Sequence, residues 1–263
     1  GTSLTVQDGY LSGALAGAGR LAINNGTVVL AADNKGAFTG DLILSAAGSS
    51  LRLDSDNDLS GAKLSLDQGE LLVNDHKLTV STFTTAADTK ISLGDKGTAI
   101  LNLLGGGEID SVLSGSGTLN LTNGLVALNA ANTYAGTTNI SGAEVRIGDS
   151  KAFGTSAVNL TAGLVDLGGN DLVLQSLSAT GGEIRLGDNK LTVTDGAGKT
   201  VLARISGAGE LELTGGVLTL GVANSYTGGT TINGGMLKVA NDDALSTSAV
   251  TVANNAWLVY GQG

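Results

Sequence analysis

The sequence has no cysteine and no proline, and only one histidine, one methionine and one tryptophan in 263 residues. Without cysteine there are no disulfides and no thiolate metal site, although an exported chain can also dispense with cysteine. Aromatic residues make up 3% of the chain, against 41% hydrophobic overall. The apolar mass is therefore Leu, Val, Ile and Ala, which suits thin aliphatic layers better than a bulky globular centre. Basic residues are few: 14 Lys and Arg against 24 Asp and Glu, for a formal charge of −10. Phosphate-rich partners need a basic footprint, so this balance argues against nucleic acid and against an anionic membrane surface. No basic segment leads into an apolar run, and every apolar run is far shorter than a bilayer-spanning helix requires. The sequence thus shows neither a signal peptide nor a membrane span. The ends, Gly1-Thr2-Ser3 and Gly261-Gln262-Gly263, read as cuts within a longer chain.

What the chain does have is 42 glycines and a large repeat. Residues 206–252 run S-G-A-G-E-L-E-L-T, then N-S-Y-T-G-G-T-T-I-N-G-G-M-L-K-V, then A-L-S-T-S-A-V-T-V. Residues 114–160 follow the same plan at a constant shift of 92 (206 − 114), with about 20 of 47 paired positions identical. A looser copy occupies 16–80. It opens at Ala16-Gly17-Ala18-Gly19-Arg20-Leu21-Ala22-Ile23, and Phe38 stands where Tyr134 and Tyr226 stand after a two-residue slip. A second internal match pairs 69–80 with 182–193. No linker separates the repeats, so the chain reads as one unit over 1–263.

Apolar residues recur at a spacing of two, in runs such as Leu51-Arg52-Leu53, Leu119-Asn120-Leu121 and Leu211-Glu212-Leu213. That is the period of a strand with one buried side. Gly-Gly, Asn-Gly and Gly-Asp pairs lie between the runs, and these residues turn corners without strain. Strands of three to five residues cannot bury a face alone, but stacked coils join them into continuous inner ladders. The expected fold is all-β: a parallel β-helix, or β-solenoid, with roughly three short strands per coil. Coils of about 20 to 27 residues would give roughly ten to twelve turns and a rod on the order of 50 to 60 Å long.

The strings at 132–147 and 224–239, with their flanking S-G-x-G-x-L-x-L and A-L-S-T-S-A-V-T-V segments, resemble the passenger-associated transport repeat of autotransporters. Thr137 departs from the pattern at one Gly of the pair 228–229, and Ser246 replaces the Gly usual after Ala-Leu. The resemblance implies a right-handed β-helix passenger at the surface of a Gram-negative bacterium, exported through a carboxy-terminal outer-membrane β-barrel. It implies adhesion: self-association and biofilm formation, or attachment to a host surface protein or glycan. A passive stalk that presents a distal domain, and a polysaccharide-active β-helix enzyme, are the alternatives.

The chemical motifs mostly read as turns. Gly148-Asp149-Ser150 lacks the following Gly of a serine-protease signature, and the single base, His76, aligns with a turn residue, Asn189. Gly196-Ala197-Gly198-Lys199-Thr200 lacks the first Gly of a phosphate loop and precedes a strand pattern. Asp54-Ser55-Asp56-Asn57-Asp58 has Leu59 and Ser65 where a calcium loop needs Gly and Glu. Asp110, Asp149, Asp166, Asp171, Asp188 and Asp195 are scattered at turns rather than gathered for glycan hydrolysis. Thr137-Thr138 and Thr230-Thr231 do not extend into the T-x-T ladder of an ice-binding face. Asn132 and Asn224 recur at one point of the repeat and are expected to form an Asn ladder or a turn hydrogen bond. Tyr134, Tyr226 and Phe38 are expected to pack at a corner. No catalytic, cofactor or metal residue is assigned.

Overall fold

A computed structural model describes residues 2–247 and 249–261. Ser248 in the tail of the second copy, and Gly1, Gln262 and Gly263 at the ends, lie outside the described residues. The chain is all-β, and parallel strands stack into a β-solenoid of about 13 turns. Every strand pairing among the described residues is parallel.

Each coil crosses three faces in turn. The first face carries Ser3–Val6, Arg20–Ile23 and Asp41–Leu44 and continues through Gly107–Ile109, Leu125–Leu128 and Glu183–Arg185 to Ser225–Tyr226. The second face begins with Gly9–Leu11 and Gly26–Leu30 and reaches Val112–Ser114, then resumes from Leu172–Leu174 to Val250–Val252. The third holds Ile100–Leu103, Thr118–Leu121, Ser176–Ala179, Val217–Leu220 and Ala256–Tyr260. Four strands are longer than expected, the longest being Thr137–Ile147 with 11 residues. They run from the third face onto the first through a bulge, as the register shift between Ile140 and Glu144 shows, and so merge two faces into one 19-stranded sheet.

The turn count exceeds the expected ten to twelve because corners are tight. Asn102 to Asn120 closes a coil in 18 residues. At about 4.8 Å per coil, 13 turns make a rod of about 60 Å. The alternation follows the sequence. Leu51 and Leu53 point inward and Arg52 outward, and the Leu211–Leu213 pair behaves likewise. The interior is one continuous apolar core, mostly aliphatic, each buried Leu, Ile or Val contributing about 1.5–3 kcal/mol.

The three repeat copies do not stack on one another. The inward pair Leu21 and Ile23 lies on the first face, Leu119 and Leu121 on the third, and Leu211 and Leu213 on the second. The aromatic that follows rotates the same way. Phe38 lies over Gly17 on the third face, Tyr134 over the Val112–Ser114 strand on the second, and Tyr226 over Gly207 on the first. Between successive copies the chain crosses fourteen faces, which is four and two-thirds coils. The constant shift of the sequence repeat is therefore a rotation by one face.

Candidate interaction face and the corner beneath it

The repeat encodes a corner. Gly17, Gly115 and Gly207 have φ of 96°, 95° and 112°, a left-handed conformation that a side chain would strain. Their carbonyls accept from the N–H of Thr39, Ala135 and Thr227, each at 2.9 Å. At Gly115 and Gly207 a Cβ would also run into the backbone of Gly94 and Gly187 in the coil below.

Asn132 and Asn224 form the turn hydrogen bond, not the ladder. Asn132 Oδ1 accepts from the Leu113 N–H at 2.7 Å, and its Nδ2 donates to the Ala152 carbonyl at 2.6 Å. Asn224 does the same with Ile205 and Ala244, at 2.8 and 2.7 Å. One buried amide thus ties three successive coils. Asn34 occupies the same place in the looser copy, taking the Leu15 N–H and donating to Asn57 Oδ1. Asn34 aligns with Asn132 at the shift of 98 set by the opening (114 − 16), and the two-residue slip falls between it and Phe38.

Tyr134 and Tyr226 are fully buried at this corner, as expected, and their hydroxyls meet Thr138 and Thr230. Thr138 also bonds Ser156 at 2.8 Å. Burial holds the Tyr134 phenol above its usual range. The looser copy solves the corner without polar groups: Phe38, Leu42 and Ala62 take these three places.

The ladder lies elsewhere, on the outside of the third face. Asn120 Nδ2 donates to Asn102 Oδ1 at 2.6 Å, Asn139 to Asn120 at 2.8 Å and Asn159 to Asn139 at 3.0 Å. Asn102 donates onward to Thr79 at 2.9 Å. Its signal in the sequence is Leu-Asn-Leu, Thr-Asn-Ile and Val-Asn-Leu at intervals of 18 to 20 residues. Thr118, Thr122, Thr137, Ser141, Thr161 and Ser178 flank or extend it. From Ile100 to Thr180 no outward position on this face is charged, over five coils and about 20 Å of rod.

Charge sits on the other two faces and, on the third, beyond this stretch at Asp58, Lys77, Lys199 and Lys238. Arg185 meets Asp166 at 3.4 Å on the first. On the second, Lys190 meets Glu212 at 2.8 Å and holds its carboxyl below the usual range, with Thr192 and Asn233 also donating to it.

The remaining motifs are turn chemistry. His76 sits at a turn, its Nδ1 3.7 Å from Asp56. Ala197 and Gly198 have φ of 46° and 70° and lead into a strand, Lys199–Val201. Ser246, where the pattern has Gly, has φ 54°. Asp149, Asp166, Asp171 and Asp195 each accept a backbone N–H near a turn. Asp54 pairs with Arg52, and Asp56 and Asp58 cap the N–H groups of Lys77 and Ser60. No group of three or more potential metal ligands occurs among the described residues. An open groove of about 700 Å³ lies at the corner of the first and second faces, with Asp67, Glu70, Asp88 and Lys90 along it.

Residues 112–147 and 206–239 match the passenger-associated-transport-repeat family. No curated protein and no solved structure matches the chain. The two matched stretches and the solenoid are consistent with an autotransporter passenger, repeats of which imply a secreted or cell-surface protein of Gram-negative bacteria.

Proposed function

From a chain that carries the repeats of an autotransporter passenger, we propose a non-enzymatic adhesive rod held at the outer surface of the cell. It joins cells by pairing with the same passenger on a neighbour, as in aggregation and biofilm growth. The observation that carries this reading is the uncharged stretch of the third face from Ile100 to Thr180. At a net charge of −10, two copies repel, with a screening length of about 8 Å at physiological salt. Contact through the third face keeps the carboxylates of the other faces apart. Hydroxyls and amides both donate and accept, so this face is complementary to itself, which a row of carboxylates is not. Many weak bonds along about 20 Å add up without a pocket.

A carboxy-terminal outer-membrane β-barrel as the anchor belongs to this proposal. The regular interior corner favours a second reading, a passive stalk. One experiment separates them. Bacteria displaying the passenger should clump, and Ser141→Glu with Thr180→Glu, both exposed and outside the Asn ladder, should abolish clumping without moving the melting temperature. Clumping that survives this pair removes the third face as the contact. A displayed passenger that never clumps leaves the stalk.

A further inference from the structure

The rotation of the copies raises the question of what the building unit of this rod is. If it were the coil, repeated sequence would return to the same face. It does not: the inward pair moves from first to third to second face over three copies, each step fourteen faces long. The independent match of 69–80 with 182–193 behaves alike. Leu71 on the second face corresponds to Ile184 on the first, and Leu78 on the third to Leu191 on the second. This step crosses seventeen faces, again two beyond a whole number of coils. Corner hydrogen bonds survive the rotation unchanged, as the three 2.9 Å bonds to Gly17, Gly115 and Gly207 show.

We propose that the unit of this solenoid is a strand with its turn, and that the fourteen-strand block is an interchangeable module. Gaining or losing one block keeps the core continuous and turns everything beyond it by one face. Copy number then decides on which side of the rod an outward row lies, and so which surfaces a partner meets. The physical basis is that each face offers the same inward Leu-x-Leu row, so a strand shifted to the next face finds an equivalent ladder beneath it.

The test removes residues 121–212, joining Asn120 to Leu213. In the full chain Thr219 lies over Thr200 on the third face, and Ala127 lies over Glu108 on the first. After deletion Thr219 takes the place of Ala127 and should lie over Glu108. The chain has no cysteine, so Glu108→Cys with Thr219→Cys reports this directly. Neighbouring Cα atoms in paired strands lie within disulfide range, about 4.4–6.8 Å. Mild oxidation should cross-link the shortened protein nearly completely and the full-length pair not at all. A second variant duplicates 121–212, so that no coil is lost. There a cysteine at the inserted Ala127 should cross-link to Thr200→Cys. The proposal fails if the variants fold without these cross-links. It also fails if neither folds, or if only deletions of whole coils fold.

Discussion

The blocks at 114–160 and 206–252 share their interior and differ on their outside. Both place a Gly with positive φ under a buried Tyr, and both bracket three coils with one Asn. Outward, Thr118 and Asn120 of the first become Glu210 and Glu212 of the second. A neutral amide ladder on one side of the rod thus corresponds to an ion-paired acidic row on another. The repeat specifies how the chain turns and stacks, and leaves the outer rows free to carry different chemistry.

If the interiors are equivalent, damage to them should cost the same in both blocks. Leu213→Asp and Leu121→Asp should each cost more than about 4 kcal/mol, because a carboxylate enters a dry apolar row. A Leu213→Asp protein that melts like the parent would overturn the inward assignment. Next, Asn132→Ala and Asn224→Ala each strand a buried N–H and a buried carbonyl, at roughly 1–3 kcal/mol per group. Denaturant midpoints should fall alike for the two; a difference of several-fold would break the equivalence.

The looser copy sharpens the comparison. Tyr134→Phe should lose about 1 kcal/mol by leaving Thr138 short of a partner. Adding Thr138→Leu and Ser156→Ala reproduces the Phe38, Leu42 and Ala62 corner and should recover most of it. The raised phenol also has a pH signature. Its contribution is whole below the unfolded value of about 10 and is lost as pH rises from there through the folded one, so alkaline melting should be gentler in Tyr134→Phe.

The smallest effects belong outside. Glu212 has a depressed carboxyl pKa, so its contribution is present above the unfolded value near 4.5 and is lost as pH falls through the folded one. Half-exposed Lys190 limits it to less than about 1 kcal/mol. Glu212→Gln should flatten the acid limb of the stability profile; an Asn139→Ala protein should keep that limb, its loss being the same at every pH.

Much of this is legible in residues alone. Leu-x-Leu spacing implies strands, the repeat implies stacking, and the recurrent Tyr and Asn imply a corner. The rotation is not legible, because a constant shift says nothing about how many faces the chain crosses within it. The Asn ladder escapes for a related reason. Asn102, Asn120, Asn139 and Asn159 become neighbours only once the coil lengths of 18 to 20 residues are known. The resemblance points to the repeat, whose tyrosines and asparagines turn inward, whereas the uncharged outer row is built from residues between and beside them.

The Asn brackets also predict how the rod would yield to a pull on its ends. A parallel ladder comes apart one coil at a time, with little resistance at each step. Asn34, Asn132 and Asn224 each fasten three coils through one buried amide, and they recur one repeat block apart. Single-molecule extension should therefore show weak, closely spaced yielding interrupted by stronger events, roughly 30–35 nm of released chain apart.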